Sequence, residues 1–600
     1  MQTRSQMIRI AAAASVGLTG AAATAQPAVL DHVPTDNTAY VVVPDLSELF
    51  QDFNGALRPL REAFGEQVAE AGAFVPLLQL FANSPGMNAN GAAAIAVELP
   101  AEGDPAGLAL EDLAEMVSVI LPVTDMDAFR ESPLVQGQNQ ALGDGLYEVK
   151  IQMLGATVYM RDLGDYAVLG GARERVSGFD ARGKLAEHRR MLGEVGVASA
   201  RMNDALLVTP MAPFSDGIDE LLEQIEGQAA FAAALAGGQQ GQVDAGVSIV
   251  REVLENFVRD AESGVIGFDF GPEGLSLDVL SNFRRGSELA GIFDTAPSTD
   301  GLIGNLPEGP YVVAYAQNNT DGLVARLTEN VEEMLPGEEQ ASDLNPTGDF
   351  TSRAAYAFML APSPAFGGGG LLSNSVTYAR GDGMAAKYRE VVREADGQTA
   401  AGVRYETGYD RDAIEIDGVR VDGYSMKLSY EGQGPGAGSP LAQSPFADPT
   451  VIMSLLYGAG GGPSGYVAQR GGGAYVTGGK NSELLAASFK AADGQASLTN
   501  NAALRSVMDR LPENRNGELY VNLNSILETV LSFAQMAGGA IELPEIPQMP
   551  PIGAASVVTD GGVMLRVHVP MSVITTSGKL FEQFGGALGD AVGGPNGPAF

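Results

Sequence analysis

The 600-residue chain has no cysteine and no tryptophan, and only three of its residues are histidine. Without cysteine, disulfide bonds are impossible and zinc sites of the usual Cys/His type cannot form. His32, His188 and His568 are far apart in sequence, and isolated histidines are most often solvated or hydrogen-bonded side chains. The lack of tryptophan also removes the largest stacking platform for sugars. We therefore expect no metal site and no cofactor.

Basic residues are scarce, because 36 lysines and arginines face 74 aspartates and glutamates, for a net charge of -38. Such a surface repels nucleic acid and anionic membranes, since binding to either depends on basic residues that neutralise phosphate groups. Long apolar runs are absent after residue 26, which argues against a membrane-spanning helix. We expect neither nucleic-acid binding nor a transmembrane segment.

The first 25 residues have the pattern of a secretory signal peptide. Arg4 and Arg9 precede a short run of small apolar residues, and residues 23–25 form an A-x-A cleavage site before Gln26. We therefore expect cleavage after residue 25 and export to the periplasm or the extracellular space.

Segments of the first half recur in the same order in the second half, which indicates an internal duplication. Six pairs of segments match, from residues 33–45 with 306–321 to a final hairpin in each half, 267–279 and 555–569. The spacing between matched segments jumps where the Gly/Pro-rich stretch 432–465 intervenes, as expected for an inserted surface loop.

Each half alternates antiparallel hairpins with inserted helices, which predicts an α+β fold. We expect two tandem duplicated units, each a mainly antiparallel sheet with helices packed on one face. Asp45 is a good N-cap for a helix that follows the first strand, and Val243 to Asp260 is a candidate covering helix. The predicted boundaries are 27–300 for the first unit, 301–582 for the second, 432–465 for the insertion and 583–600 for a disordered tail.

No motif predicts a catalytic site. Residues 460–465 fit the dinucleotide pattern G-x-G-x-x-G, but a strand-like segment follows where a helix is required. The densest acidic cluster, at residues 410–417, has Ile414 where an EF-hand needs a ligand, which favours a solvated strand face over a weak cation site. In the alternating segment 563–569, Arg566 and His568 share one face, opposite the valines, which fits a structural or solvated position.

One stretch, residues 173–190, is basic within this acidic chain. It supplies four candidate contacts for an anionic partner: Arg182, Lys184, Arg189 and Arg190. A solvated helix and turn with local ion pairs is the alternative interpretation.

The opening of the mature sequence, Val33 to Leu46, has an apolar residue before proline, a polar turn and then the run VVVPDL. This segment resembles a domain-of-unknown-function family of large exported bacterial proteins, which begin with LPxDT-like and VxVxDL-like segments after a signal peptide. The resemblance implies an envelope location and a duplicated α+β fold, and it brings no functional residues.

These observations favour an exported envelope protein that is a non-catalytic binding or structural module. An alternative is a periplasmic carrier of an apolar, lipid-like ligand, held between helix and sheet or between the two halves. A carboxylate-dependent hydrolase is a remote third, because it would need two carboxylates at a set separation that sequence does not reveal. The expected partner is thus an unknown protein or apolar ligand of the cell envelope.

Overall fold

A computed structural model gives the fold of most of the chain. It describes residues 28–34, 38–65, 83–98, 116–132, 135, 139–151, 156–179, 191–192, 202–211, 256–257, 259–294, 296–323, 325–326, 351, 353–363, 370–400, 403–430, 449–536, 547–559 and 561–580. The predicted signal peptide, most of the predicted helix 243–260 and the predicted tail lie outside these residues.

The chain divides into two compact units. Unit 1 comprises residues 1–217, 258–290 and 561–600, and unit 2 comprises residues 218–257 and 291–560. The helices, in chain order, are α1 (Leu46–Phe64), α2 (Met126–Arg130), α3 (Arg173–Ser177), α4 (Glu288–Ile292), α5 (Met384–Glu394), α6 (Pro449–Tyr457), α7 (Ser482–Ala492), α8 (Ala502–Met508), α9 (Leu523–Met536) and α10 (571–580). No helix among the described residues is both long enough and apolar enough to cross a membrane.

Unit 1 is built on an antiparallel sheet. Its strands are β1 (Thr38–Val43), β2 (Ala93–Glu98), β3 (Val117–Pro122), β4 (Asn139–Gly143), β5 (Leu146–Ile151), β6 (Ala156–Asp162), β7 (Tyr166–Gly170), β8 (Ala205–Pro210), β9 (Ala261–Gly271), β10 (Gly274–Phe283) and β21 (Gly562–Pro570). They pair in the order β4-β5-β6-β7-β3-β2-β1-β8-β9-β10-β21. The last strand among the described residues, β21, therefore completes the sheet of unit 1.

Helix α1 covers one face of this sheet. Its N-cap is Asp45, as predicted, and the carboxylate accepts hydrogen bonds from the backbone N–H groups of Ser47 (2.9 Å) and Glu48 (3.3 Å). Leu49 and Phe50 lie on its buried side, in the same apolar cluster as side chains from β1, β2, β5, β6 and β7. The cap fixes where the helix begins, and the apolar spacing fixes which side of it is buried.

Unit 2 is also built on an antiparallel sheet. Its strands are β11 (Val313–Asn318), β12 (Ala355–Leu360), β13 (Ser375–Arg380), β14 (Thr399–Ala400), β15 (Val403–Ile416), β16 (Val419–Tyr430), β17 (Ser464–Arg470), β18 (Gly473–Thr477), β19 (Gly517–Val521) and β20 (Ile552–Thr559). They pair in the order β14-β15-β16-β17-β18-β13-β12-β11-β19-β20. The prediction of a mixed helix and strand protein with a large antiparallel sheet is therefore confirmed.

Helices cover both faces of the sheet in unit 2, so the prediction of helices on one face is wrong there. Tyr475 of β18 packs in a cluster with Phe489 of α7, whereas the next residue, Val476, packs with Val392 of α5. Successive residues of a strand point to opposite faces, so α5 and α7 lie on opposite sides. All five residues of β18 are buried, so both faces of this strand need a packed layer.

The predicted insertion 432–465 is only partly described. Residues 449–457 within it form helix α6, and β17 begins at Ser464. A short apolar helix therefore occupies part of the stretch that composition alone marks as a loop.

Candidate functional site

Polar side chains line one face of strands β9, β10 and β21 in unit 1. In the register of these strands, Ser276 lies opposite both Asp269 and His568, and Asp278 lies opposite Arg566. These side chains point to the same face of the sheet because the strands alternate with a period of two. We call these five residues the ionic layer.

Four of the five residues of the ionic layer are buried, and Asp269 is partly buried. Asp278 and Arg566 are 0% and 1% exposed, and Arg566 is the largest fully buried side chain among the described residues. The guanidinium group of Arg566 contacts Asp269 (Nη2 to Oδ2, 2.7 Å) and Asp278 (Nη1 to Oδ2, 3.5 Å). It also donates a hydrogen bond to the carbonyl oxygen of Met202 at 3.2 Å. One cation thus bridges carboxylates from two neighbouring strands.

A glycine makes room for the amide that closes this layer. Asn203 donates a hydrogen bond from Nδ2 to Oδ2 of Asp278, at 2.5 Å. Gly267 lies opposite Asp278 in the register of β9 and β10, and a Cβ atom there would come within 2.7 Å of Asn203 Cγ. The smallest residue on β9 therefore allows the amide to reach the buried carboxylate.

The pair formed by Ser276 and His568 has the residue types of a nucleophilic site. Oγ of Ser276 lies 3.0 Å from Nδ1 of His568 and also donates to Oδ2 of Asp269, at 3.2 Å. In a catalytic triad the acid orients the imidazole, whereas Asp269 here accepts from the serine and pairs with Arg566. Because Ser276 and His568 are both buried, the arrangement favours a structural role.

The opposite face of β10 and β21 is apolar and exposed. Its side chains form three cross-strand pairs, which we call the apolar strip: Leu275 with Val569, Leu277 with Val567, and Val279 with Leu565. Leu277, Val279 and Leu565 are 40%, 45% and 47% exposed, and they are three of the four exposed large apolar side chains among the described residues. The two strands therefore turn their charged side chains inward, beside the buried pair Leu280 and Met564, and turn the apolar strip outward.

The apolar strip continues the core face of unit 1 beyond the cover of helix α1. One row of side chains runs in register across five strands: Val41, Leu207, Ile266, Val279 and Leu565. Val41 packs against the apolar cluster that contains α1, whereas Val279 and Leu565 are exposed. Helix α1 also packs on β9, and its Gly55 lies beside Pro272 in the turn that joins β9 and β10.

Aromatic rings border the strip on the β9 side. Phe268 and Phe270 are stacked, with ring centroids 6.3 Å apart, and they lie opposite Leu277 and Leu275 in the register. Both phenylalanines are half-buried, so they form the boundary between the covered face and the exposed strip. The site is thus an open apolar ledge with one aromatic edge.

Comparisons with known proteins add little to this geometry. No family model and no curated protein matches the chain. The solved structure described as "Structure of crystal form I of TP0453" aligns with 44% of this chain and 81% of that chain, at 9% identity and a TM-score of 0.18. A likeness this low carries no argument about fold or function.

The basic residues predicted to contact an anionic partner lie outside the described residues: Arg182, Lys184, Arg189 and Arg190. His188 also lies outside them. The acidic cluster 410–417 lies on β15 and in the turn to β16, where the backbone N–H of Asp412 donates to Asp422 Oδ1 at 3.0 Å. Within the described part of the chain, no group of three or more acidic or histidine side chains is placed to hold a metal ion.

The two described histidines have different environments. His568 is part of the ionic layer, whereas His32 lies against Tyr166, with ring centroids 4.8 Å apart. Burial lowers the pKa of His32 below its ordinary value of 6.5, and the charges of Asp31 and Asp165 oppose this effect. Sequence reasoning found the shared face of Arg566 and His568, but it missed the apolar strip on the other face.

Proposed function

We propose that the protein is an exported envelope protein that acts as a non-catalytic binding module, with the apolar strip as part of its binding surface. The observation that carries this proposal is that β10 and β21 bury an ion pair on one face and expose large aliphatic side chains on the other. Full burial of a Val or Leu side chain contributes about 1.5–3 kcal/mol, and the protein loses part of this contribution at Val279 and Leu565 because both are exposed. Burying Arg566 and Asp278 adds a desolvation cost of several kcal/mol per ion before pairing. A sheet shaped for stability alone would do the reverse.

The buried state of the polar groups favours binding over catalysis. Ser276, His568 and Asp269 would be the natural parts of a hydrolase, but they face the interior and are held by one another and by Arg566. The most exposed side chains of β10 and β21 are aliphatic, those of Leu277, Val279 and Leu565. An apolar-ligand carrier is the second candidate, because a carrier also needs an accessible apolar surface.

Export and duplication are further parts of the proposal. The pattern of residues 1–25 and the resemblance of Val33 to Leu46 to exported bacterial proteins support an envelope location. The strand orders support a tandem duplication: unit 1 has β7-β3-β2-β1-β8-β9, and unit 2 has β18-β13-β12-β11-β19-β20. In both units the first strand lies between the second strand and a strand from late in the repeat.

Site-specific photo-crosslinking tests the binding surface. A photoreactive phenylalanine analogue would replace Val279 in the strip and, as the matched control, Gln140, a polar exposed residue on the edge strand β4. In the native host we expect one defined crosslinked product from position 279, recovered with the periplasmic or secreted fraction, and none from position 140. The same mixture of products from both positions would contradict the proposal.

A further inference from the structure

The size of the apolar strip limits what can bind there. Same-face residues repeat about every 7 Å along a strand and neighbouring strands are about 5 Å apart, so three pairs cover roughly 14 Å by 10 Å. Even with the reach of the side chains, this is on the order of 200 Å². A stable protein interface needs about 800 Å² from each partner, so the strip alone is too small for one.

Charge argues against two other occupants. The chain carries a net charge of -38, so a second copy would be repelled as it approached. An anionic bilayer would be repelled for the same reason. None of the six side chains of the strip is charged, so the strip itself offers no compensating attraction for either.

The shape and chemistry of the strip match a single hydrocarbon chain. The strip is somewhat longer than it is wide, and the phenyl rings of Phe268 and Phe270 border its β9 side. Beyond these rings, α1 covers the same sheet face, so a chain lying on β10 and β21 would extend the apolar layer that the helix begins. Each methylene removed from water on this ledge would contribute to binding.

We propose that the apolar strip binds the acyl chain of one lipid molecule, taken up as a monomer and not from a membrane surface. This inference rests on the proposed binding function and names its ligand. Leu277, Val279 and Leu565, the exposed members of the strip, contact the chain. The head group is zwitterionic or neutral, because an anionic one would be repelled by the acidic protein.

The absence of tryptophan makes a direct test possible. In the full-length variant Leu565→Trp the new indole is the sole tryptophan of the chain, and Gln140→Trp on β4 is the matched control. The probe is a lysophosphatidylcholine with a brominated acyl chain, kept below its micelle concentration, because bromine quenches indole fluorescence on contact. We expect saturable quenching at position 565, reversed by the unbrominated lipid, and little quenching at position 140.

Three results would overturn the inference. The first is equal quenching at both positions. The second is quenching at position 565 by brominated phosphatidylcholine vesicles but not by the monomeric lipid. The third is a blue-shifted indole at position 565 that does not respond to the lipid, which would show that the chain itself covers the strip. If Leu565→Trp does not fold, Val279→Trp takes its place. A defined crosslink from position 279 without quenching would retain the binding module and reject the acyl ligand, whereas failure of both experiments would reject both proposals.

Discussion

The pair β13–β18 in unit 2 and the pair β10–β21 in unit 1 are both antiparallel, yet only the second buries an ion pair between its strands. In unit 2, Tyr378 lies opposite Tyr475 with ring centroids 5.0 Å apart, within an apolar core. In unit 1, the buried pair Asp278 and Arg566 lies beside the buried pair Leu280 and Met564. The large aliphatic side chains on the opposite face, those of the apolar strip, are more exposed. Strand pairing is therefore compatible with either face being the interior.

The difference shows what strand alternation determines. Alternation decides which residues share a face, but the layers packed on the sheet decide which face is buried. In unit 2 helices α5 and α7 cover both faces of β18, whereas β10 and β21 of unit 1 are buried on one face and partly exposed on the other. The apolar interior of unit 2 is explained by stability, and the exposed strip of unit 1 is explained better by binding.

Among variants that test the difference between the two strand pairs, Arg566→Met should cause the largest loss of stability. Loss of the cation leaves the buried carboxylate of Asp278 and the partly buried one of Asp269 without their ion pair, so we expect a loss of about 3–5 kcal/mol in the free energy of unfolding. Urea denaturation followed by circular dichroism measures it. The matched variant in unit 2 is Leu485→Ala, whose buried side chain is apolar and whose loss should be about 2–5 kcal/mol.

The pH dependence separates the two variants. A buried carboxylate without its cation is relieved when it takes up a proton, so the loss caused by Arg566→Met should shrink as the pH falls from 7 towards 4. The loss caused by Leu485→Ala should stay constant over the same range, because no charge is involved. An equal pH response in both variants would show that the ionic layer is not what stabilises β10 and β21.

Replacing a closely packed glycine by alanine in each unit should cause a smaller loss of stability. A Cβ atom at Gly267 would meet the side chain of Asn203, whereas one at Gly473 would lie 2.5 Å from both Ala379 O and Tyr378 Cε2. We expect Gly267→Ala to cost about 1–3 kcal/mol, because Asn203 must leave Asp278 or the strands must shift. Gly473→Ala should cost at least as much, since a backbone atom cannot swing aside. Unchanged denaturation midpoints would contradict both expectations.

The sequence predicts much of the local structure and little of the site. The N-cap at Asp45 is readable because its side-chain chemistry and the apolar spacing after it are local. The shared face of Arg566 and His568 is readable too, because it depends only on a period of two. Their burial is not, because it depends on contacts with Met202 and Asn203, which are far away in sequence.

The second layer of helices in unit 2 had a partial signal in the sequence. Residues 473–477 form a run without a charged side chain, and such a run is typical of a strand covered on both faces. A short apolar run does not by itself distinguish a strand covered on both faces from a segment of a buried helix. The periodicity of the sequence therefore predicts where helices and strands lie better than it predicts which of their faces other elements cover.

The smallest effect concerns His32, a titratable side chain of unit 1 that packs against Tyr166 rather than in an ionic layer. Its pKa is lowered from 6.5 mainly by burial, so the unfolded chain takes up the proton first as the pH falls. Stability should be unaffected by His32 above pH 6.5 and should decline slightly below it, until the folded state is protonated as well. His32→Gln should remove this decline, seen as a flatter dependence of the urea midpoint on pH between 6.5 and 5. As the pH falls, burial of His32 should lower the stability of the wild type, whereas the stability of Arg566→Met should rise. The two variants therefore distinguish a charge buried with its ion-pair partners from a base whose burial favours its neutral form. Parallel pH profiles for the wild type and His32→Gln would show that burial of His32 has no energetic consequence.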